Sequence, residues 1–209
     1  MPKIPLPVAA RLPLYYEYVL ETEKAGMPFI SSNMIAGQLG YTSSTIRQDM
    51  MSLGKIDSSS SGYSISSLKA ALEDVLGISK GANMALIGIG SLGLALAHSR
   101  QFMEKNFIIR ALFDKKPDII GSVIDGIPVY PMYVMPEVIQ SERITIGIIA
   151  TTPSSAQEVA DSLVLSGIKG IWNFTHVALK VPRHVRVENV NVLPSLFKLS
   201  LLLKTDEKD

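Results

Sequence analysis

The chain contains no cysteine, which excludes disulfides, thiolate metal sites and any sensor built on a thiol. A response to redox state has to come through a bound cofactor. Histidine is scarce too: His98, His176 and His184 stand far apart, without the spacing or surrounding acids of a structural metal site, so no metal is expected. Charged residues make up only 19% of the sequence against 47% hydrophobic, yet no apolar run approaches the roughly eighteen residues of a membrane span. The N-terminus has no secretory-signal pattern. These absences lead to the expectation of a compact soluble protein that resides in the cytoplasm and makes no membrane contact. At 209 residues it should form one large or two small domains.

The most telling stretch present is residues 83–114, which reads as strand, glycine loop, helix, strand and acid. Met84-Ala85-Leu86-Ile87 is a continuous apolar run, as a parallel strand buried on both faces requires. It leads into Gly88-Ile89-Gly90-Ser91-Leu92-Gly93. The first glycine permits a tight turn, the second lets a pyrophosphate approach the backbone, and the third lets the helix pack close to the strand. Loop amides and the positive helix end then face the phosphates. A second apolar run at 107–113 ends in Asp114, where a carboxylate can accept both ribose hydroxyls of an adenosine and disfavours a 2′-phosphate. The expectation is a Rossmann-like, doubly wound parallel sheet that binds a dinucleotide.

The pattern continues with a strand at 127–130, a helix at 131–140, a buried strand at 144–150, a helix at 155–165 capped by Ser154, and a strand at 170–173. Thr151, Thr152 and Pro153, and likewise Asn173, Phe174 and Thr175, fall at the carboxyl ends of strands, where ligands bind in such sheets. His176 has no acid, lysine or tyrosine at a dehydrogenase-like spacing and is read as a loop residue. Residues 193–203 place leucines and Phe197 around most of a helix, which must be buried on more than one side. The choices are insertion into a second subunit or packing on its own domain.

The first eighty residues have another texture. Pro2, Pro5 and Pro7 suggest a loose arm, with a helix from about Pro13 to Lys24. Ser31 or Ser32 can cap a short helix, Gly40 a turn, and Thr42 or Ser43 a third helix to about Met51. This is a helix-turn-helix, with Ile46, Met50 and Leu53 inward and Ser43, Ser44, Arg47 and Gln48 outward. A serine run at 58–61 within residues 55–63 suits a hairpin wing, and a helix at 66–76 ends at Gly77. Residues 1–76 hold seven acids against six bases, so binding of double-stranded operator DNA requires Lys3, Arg11, Arg47 and Lys55 to gather on one side. The candidate contacts are Arg11, Ser43, Ser44, Thr45, Arg47, Gln48 and Lys55.

Arg11-Leu12-Pro13-Leu14-Tyr15-Tyr16, Ile46-Arg47-Gln48-Asp49, Gly62-Tyr63, the glycine loop, Phe113-Asp114, Asn173-Phe174-Thr175 and Val187-Glu188-Asn189-Val190 occur in one order along the chain. Over nearly its whole length the sequence therefore resembles the Rex family of bacterial redox-sensing transcriptional repressors. The resemblance implies a homodimer with a winged-helix DNA-binding domain at 1–80, a Rossmann NAD(H)-binding domain at 81–192, and a domain-swapped C-terminal helix and tail at 193–209. It implies repression of respiratory and fermentative genes, released when NADH replaces NAD, and no enzymatic activity. Two other readings stay open: a regulator responding to another adenosine nucleotide such as coenzyme A, and a small NAD-dependent oxidoreductase, for which no substrate domain or proton donor is apparent.

The chain departs from the family pattern where a usually basic recognition-helix position is Gln48 and an arginine- and glycine-bearing wing is a serine run. Three switch positions that carry Arg, Tyr and Asp in relatives are Glu17, His98 and Asn191. A weakened redox switch is expected, with a Glu17 to His98 contact in place of the arginine network.

Overall fold

The polypeptide divides between Lys80 and Gly81 into two units with separate cores. The structure, a computed structural model, describes residues 4–206. Pro2 and Lys3 of the expected arm, and residues 207–209 of the expected tail, lie outside the described residues.

In the first unit, α1 (Leu6–Lys24) is followed by β1 (Phe29–Ile30), α2 (Ser32–Leu39), α3 (Ser43–Met50), β2 (Ser58–Ser59), β3 (Gly62–Ser64) and α4 (Ile65–Val75). The helix expected from Pro13 starts at Leu6 instead. Pro5 is its N-cap and Pro7 sits in the first turn, where a missing N–H has no carbonyl to satisfy. Pro13 lies inside the helix, and the stripe Val8, Leu12, Tyr15, Tyr16 and Val19 is buried straight through it. Burying that stripe outweighs the roughly 3 kcal/mol that an interior proline costs. Ser31 caps α2 by accepting from the Met34 amide, Gly40 closes it at φ 72°, and Thr42 caps α3 by accepting from the Thr45 amide. The wing hairpin β2–β3 gains a third strand, β1, in the order β1-β3-β2.

Ile46, Met50 and Leu53 are buried as expected, but Asp49 points inward with them and is only 2% exposed. Arg11 donates from Nε to Asp49 Oδ2 at 2.7 Å and from Nη2 to Oδ1 at 2.9 Å, while the Tyr15 hydroxyl donates to Oδ2 at 2.6 Å. Burial pushes the Asp49 carboxyl up, but the hydrogen bonds from Arg11 and Tyr15 outweigh it and hold it below its ordinary value. The Arg11 guanidinium also lies 5.7 Å from the Tyr41 ring centroid. Along the same helix, Tyr16 donates to Glu73 Oε1 at 2.8 Å, and burial followed by that bond pushes its phenol up to about 12.

The second unit runs β4 (Ala82–Ile87), α5 (Ser91–Ala97), α6 (Arg100–Met103), β5 (Phe107–Asp114), β6 (Val123–Ile124), β7 (Ile127–Pro131), α7 (Met135–Ser141), β8 (Ile144–Ile149), α8 (Ala156–Leu165), β9 (Gly170–Asn173), β10 (Arg186–Asn189) and α9 (Leu193–Asp206). Its strands lie in the order β10-β9-β8-β4-β5-β7-β6, parallel except for the β6–β7 pair. This is a doubly wound sheet whose strand order reverses between β4 and β8. Alternate residues divide between its faces. Ile87, Phe113 and Ile149 pack under α7 and α8, and Leu86, Leu112 and Ile148 lie on the side of Phe102 and Trp172.

Two expected helix starts differ. The segment after Pro131 is a 3₁₀ turn, Met132–Val134, before α7, and Pro153–Ser155 forms another before α8. Ser154 does not cap α8: its hydroxyl pairs with that of Thr152. On the final helix α9, Leu196, Phe197 and Leu201 are 57%, 65% and 63% exposed in the single chain.

Because Asp49 is buried and Arg11 is its counter-charge, Arg11→Met should destabilise the chain by about 3–5 kcal/mol at neutral pH. In the native chain the depressed Asp49 value stabilises fully above the unfolded carboxylate value, about 3.9, and is lost as pH falls through the lower folded value. In the variant the sign reverses. An unpaired buried carboxylate titrates high, so part of the loss should be recovered as the pH falls toward about 5. Thermal melts of the full chain across pH check this, and a pH-independent loss under about 1 kcal/mol would refute it.

Candidate nucleotide cleft and nucleic-acid face

The three loop glycines do different work. Gly88, at φ 97°, turns the chain out of β4, and a Cβ there would lie 2.7 Å from the Ala150 carbonyl oxygen beyond β8. Gly93 sits so close to the Gly88 carbonyl that no side-chain atom fits between the helix and the loop. Gly90, the N-cap of α5, has open space where a Cβ would stand. That leaves its backbone accessible to a ligand.

Beside the loop, Asp114 ends β5. Its Oδ2 accepts from the Ile89 amide at 2.6 Å and its Oδ1 from the Lys116 amide at 2.9 Å. The carboxylate therefore clips the loop to the neighbouring strand while each oxygen keeps a lone pair for another donor.

These elements surround a cleft of about 560 Å³ at the carboxyl ends of β4, β5 and β8. Of the expected ligand residues, Gly88, Ile89, Gly90, Ser91, Leu92, Asp114, Thr151, Thr152 and Phe174 line it. Gly93, Pro153, Asn173 and Thr175 stand outside this lining. Gly93 serves packing beneath the loop, and Pro153 opens the 3₁₀ turn.

Asn173 is fully buried. Its amide donates to Val177 O and to Asn189 Oδ1, and its Oδ1 accepts from the Thr175 amide and hydroxyl. The pair knits the turn after β9 to β10. An asparagine two residues before a threonine at a strand end is itself the signal for such a side-chain turn. Lys115, Lys116, Met132 and Ser155 also line the cleft and were not among the expected ligand residues. For the two lysines the signal was their place directly after the strand-ending acid.

On α3, Ser44, Arg47 and Gln48 are exposed, Ser43 and Thr45 half-buried, and Lys55 is exposed before the wing. The Thr45 hydroxyl pairs with Thr42 in the cap, and Arg47 donates to Ser32 Oγ at 3.3 Å. Arg11, expected on the groove side, is the ion-pair partner of Asp49. Asp49 itself was missed, although its place three residues after Ile46 puts it on the inward stripe.

At the expected switch positions, Glu17 is exposed on α1 and Asn191 Oδ1 accepts from the Leu193 amide at the start of α9. His98 pairs through Nδ1 with Asp125 in the β6–β7 turn. Among the described residues no group of His, Asp or Glu could hold a metal, and no helix is long and apolar enough to cross a membrane.

Comparison with known proteins agrees with this geometry. Residues 79–177 match the family model described as a CoA binding domain, and residues 3–50 match that of a putative DNA-binding protein N-terminus. The redox-sensing transcriptional repressor Rex of Clostridium beijerinckii is 37% identical over 204 residues, covering 98% of this chain and 97% of its own. Crystal structures of RSP, a Rex-family repressor, are also similar. The complex with β-NADH superposes with TM-score 0.90 at 35% identity, covering 99% of this chain and 97% of that one. The complex with β-NAD+ and operator DNA does so with TM-score 0.90 at 36% identity, covering 99% and 95%. With more than a third of its residues identical across essentially its full length, the chain belongs to the Rex family of redox-sensing transcriptional repressors.

Proposed function

We propose that this chain is a transcriptional repressor that reads the balance of NADH and NAD through its Rossmann unit, residues 81–192, and binds double-stranded operator DNA through its winged-helix unit, residues 1–80. The observation that carries the reading is the coexistence, in one chain, of a glycine-loop cleft clipped by Asp114 and a capped helix α3 with Ser44, Arg47 and Gln48 outward. The pyrophosphate lies against Gly88, Ile89, Gly90, Ser91 and Leu92, and the adenosine ribose against Asp114. Thr151, Thr152 and Phe174 flank the remainder of the dinucleotide. That RSP has been crystallised with NADH, and with NAD+ and operator DNA, supports both halves.

The protein acts as a homodimer. Its α9 carries leucines exposed along the single chain, and a second copy covers them in a domain-swapped arrangement. Each α3 enters a major groove with Arg47 and Gln48 on base edges and Ser43, Ser44, Thr45 and Lys55 near the backbone. It works by binding rather than turnover, inside the cytoplasm, a reading supported by the relatives' being repressors by name.

Gly90→Ala separates folding from binding. The open space at Gly90 predicts a stability change below about 1 kcal/mol, while the added methyl should weaken NADH by about tenfold or more, as one lost close contact does. Melting and calorimetry on the same sample check both, and unchanged NADH affinity would remove the loop from the site.

Arg47→Ala should weaken operator binding by about 1–3 kcal/mol and relax its sequence preference. Because the wing presents serines where arginines would contact phosphate, the salt dependence should be shallow, each missing contact lowering the slope by about 0.9. A silent Arg47→Ala in a fluorescence titration against operator and random duplex would refute the α3 assignment.

NADH should release the native chain from DNA only weakly. Moving a two-state dimer from about 1:99 to 99:1 needs roughly 5.5 kcal/mol of differential binding, and each charge-assisted hydrogen bond supplies about 1.5–3 kcal/mol. Glu17, His98 and Asn191 lack the arginine network, so the triple change Glu17→Arg, His98→Tyr, Asn191→Asp should sharpen release. A native chain already released a hundredfold by NADH, and unaffected by the triple change, would show that these positions do not carry the switch.

A further inference from the structure

Trp172 and Phe174 stand two residues apart at the end of β9, so their side chains leave the backbone on the same face of the sheet. Strand geometry persists past Asn173, because the Phe174 amide still donates to the Ile149 carbonyl of β8 at 3.0 Å. Between the two rings, Asn173 ties the backbone down through its bonds to Val177, Asn189 and Thr175. The backbone of Phe174 is therefore fixed, and only the rotamer of its ring is left for its neighbours to decide.

Those neighbours form an aromatic series. The Phe174 and Trp172 ring centroids are 4.7 Å apart with their planes at 61°, and Trp172 meets Phe102 of α6 at 5.6 Å and 77°. Both are edge contacts, in which the orientation of one ring constrains that of the other. Phe174 lines the nucleotide cleft, whereas Trp172 and Phe102 line a separate apolar hollow of about 400 Å³ walled also by Met84, Ile146 and Val187. The two touching rings thus stand as a partition between the cavities. With the indole in place, Phe174 is backed on the side away from the cleft; without it, the hollow is open to receive the phenyl ring.

The partition borders one half of the cleft. With Asp114 of β5 at the adenosine ribose, the dinucleotide crosses the glycine loop after β4 toward β8 and β9. Phe174 then faces the nicotinamide half. We propose that Trp172 is a positioning residue for nicotinamide binding, which touches no ligand and holds the Phe174 ring in the cleft wall from the far side of the partition. This rests on reading the cleft as a nucleotide site.

NADH and NAD carry the nicotinamide, and ADP-ribose is the same molecule without it, so titration with the three separates a positioning role from a general packing role. In full-length Trp172→Ala, and in Trp172→Leu, which keeps the core filled, NADH and NAD should bind about threefold to tenfold more weakly, the worth of an aromatic pair. ADP-ribose should change by less than about twofold. Trp172→Phe, which keeps an aromatic edge against Phe174, should restore most of the nicotinamide affinity. Trp172 is the one tryptophan of the chain, and in the native protein NADH should quench its emission and itself emit, while ADP-ribose should leave it bright. Equal losses for all three ligands, or unchanged NADH and NAD affinity in a folded Trp172→Leu, would overturn the positioning role while the nucleotide reading stands. If none of the three binds the native chain, the nucleotide reading falls and takes the positioning role with it.

Discussion

No side-chain atom fits at Gly88 or Gly93, and the cleft takes its form from that exclusion. The end of β4, the start of α5 and the carbonyl of Ala150 approach one another until only backbone remains between them. The loop amides are thereby presented at the mouth of the sheet, at the reversal of strand order between β4 and β8. Asp114 completes the arrangement by accepting from the Ile89 amide. The loop is thus held from below by steric contact and from the side by a charge-assisted hydrogen bond. A ligand entering the cleft meets donors already in place, which limits the ordering entropy of binding.

The winged unit solves a different problem, that of holding a short helix rigid while one face stays bare. Eight residues of α3 have little intrinsic stability. The helix is fixed by Thr42 at its start, by the apolar stripe through Ile46 and Met50, and by Asp49 clasped between Arg11 and Tyr15 of α1. The clasp uses up a positive charge that a count of residues would assign to the nucleic-acid face. With Arg11 paired to Asp49, Arg47 and Lys55 remain exposed as cations on α3 and before the wing, while Glu17 and Glu21 stand exposed on α1. The unit's near-neutral total charge thus conceals a buried pair and a thin external field.

The parallel strands were legible because burial on both faces leaves unbroken apolar runs. The run at 107–113 does end in Asp114 and the strand at 170–173 does end in Asn173. The caps at Ser31 and Thr42 were legible because each hydroxyl stands three residues before the amide it satisfies. The start of α1 was not, since three prolines read locally as breakers while the buried stripe that overrides them is a tertiary effect.

The two-residue strands β1, β2 and β6 carry too few side chains to show a period. Within the cleft, position at a strand end marked both Asn173 and Phe174, but only packing decides that Phe174 faces the cavity while Asn173 turns inward to Asn189.

Helix α9 has a consequence for abundance. Its seven large apolar side chains, from Leu193 to Leu203, each stand about half exposed or more in the single chain. Burying a leucine or phenylalanine side chain fully is worth about 1.5–3 kcal/mol, so any surface that covers this helix adds a large association term. Such a term acts by mass action, and the population of covered molecules rises with their concentration. If a second copy supplies that surface, the number of copies a cell holds enters the stability of every copy, and dilution at division becomes a perturbation that the regulator itself feels.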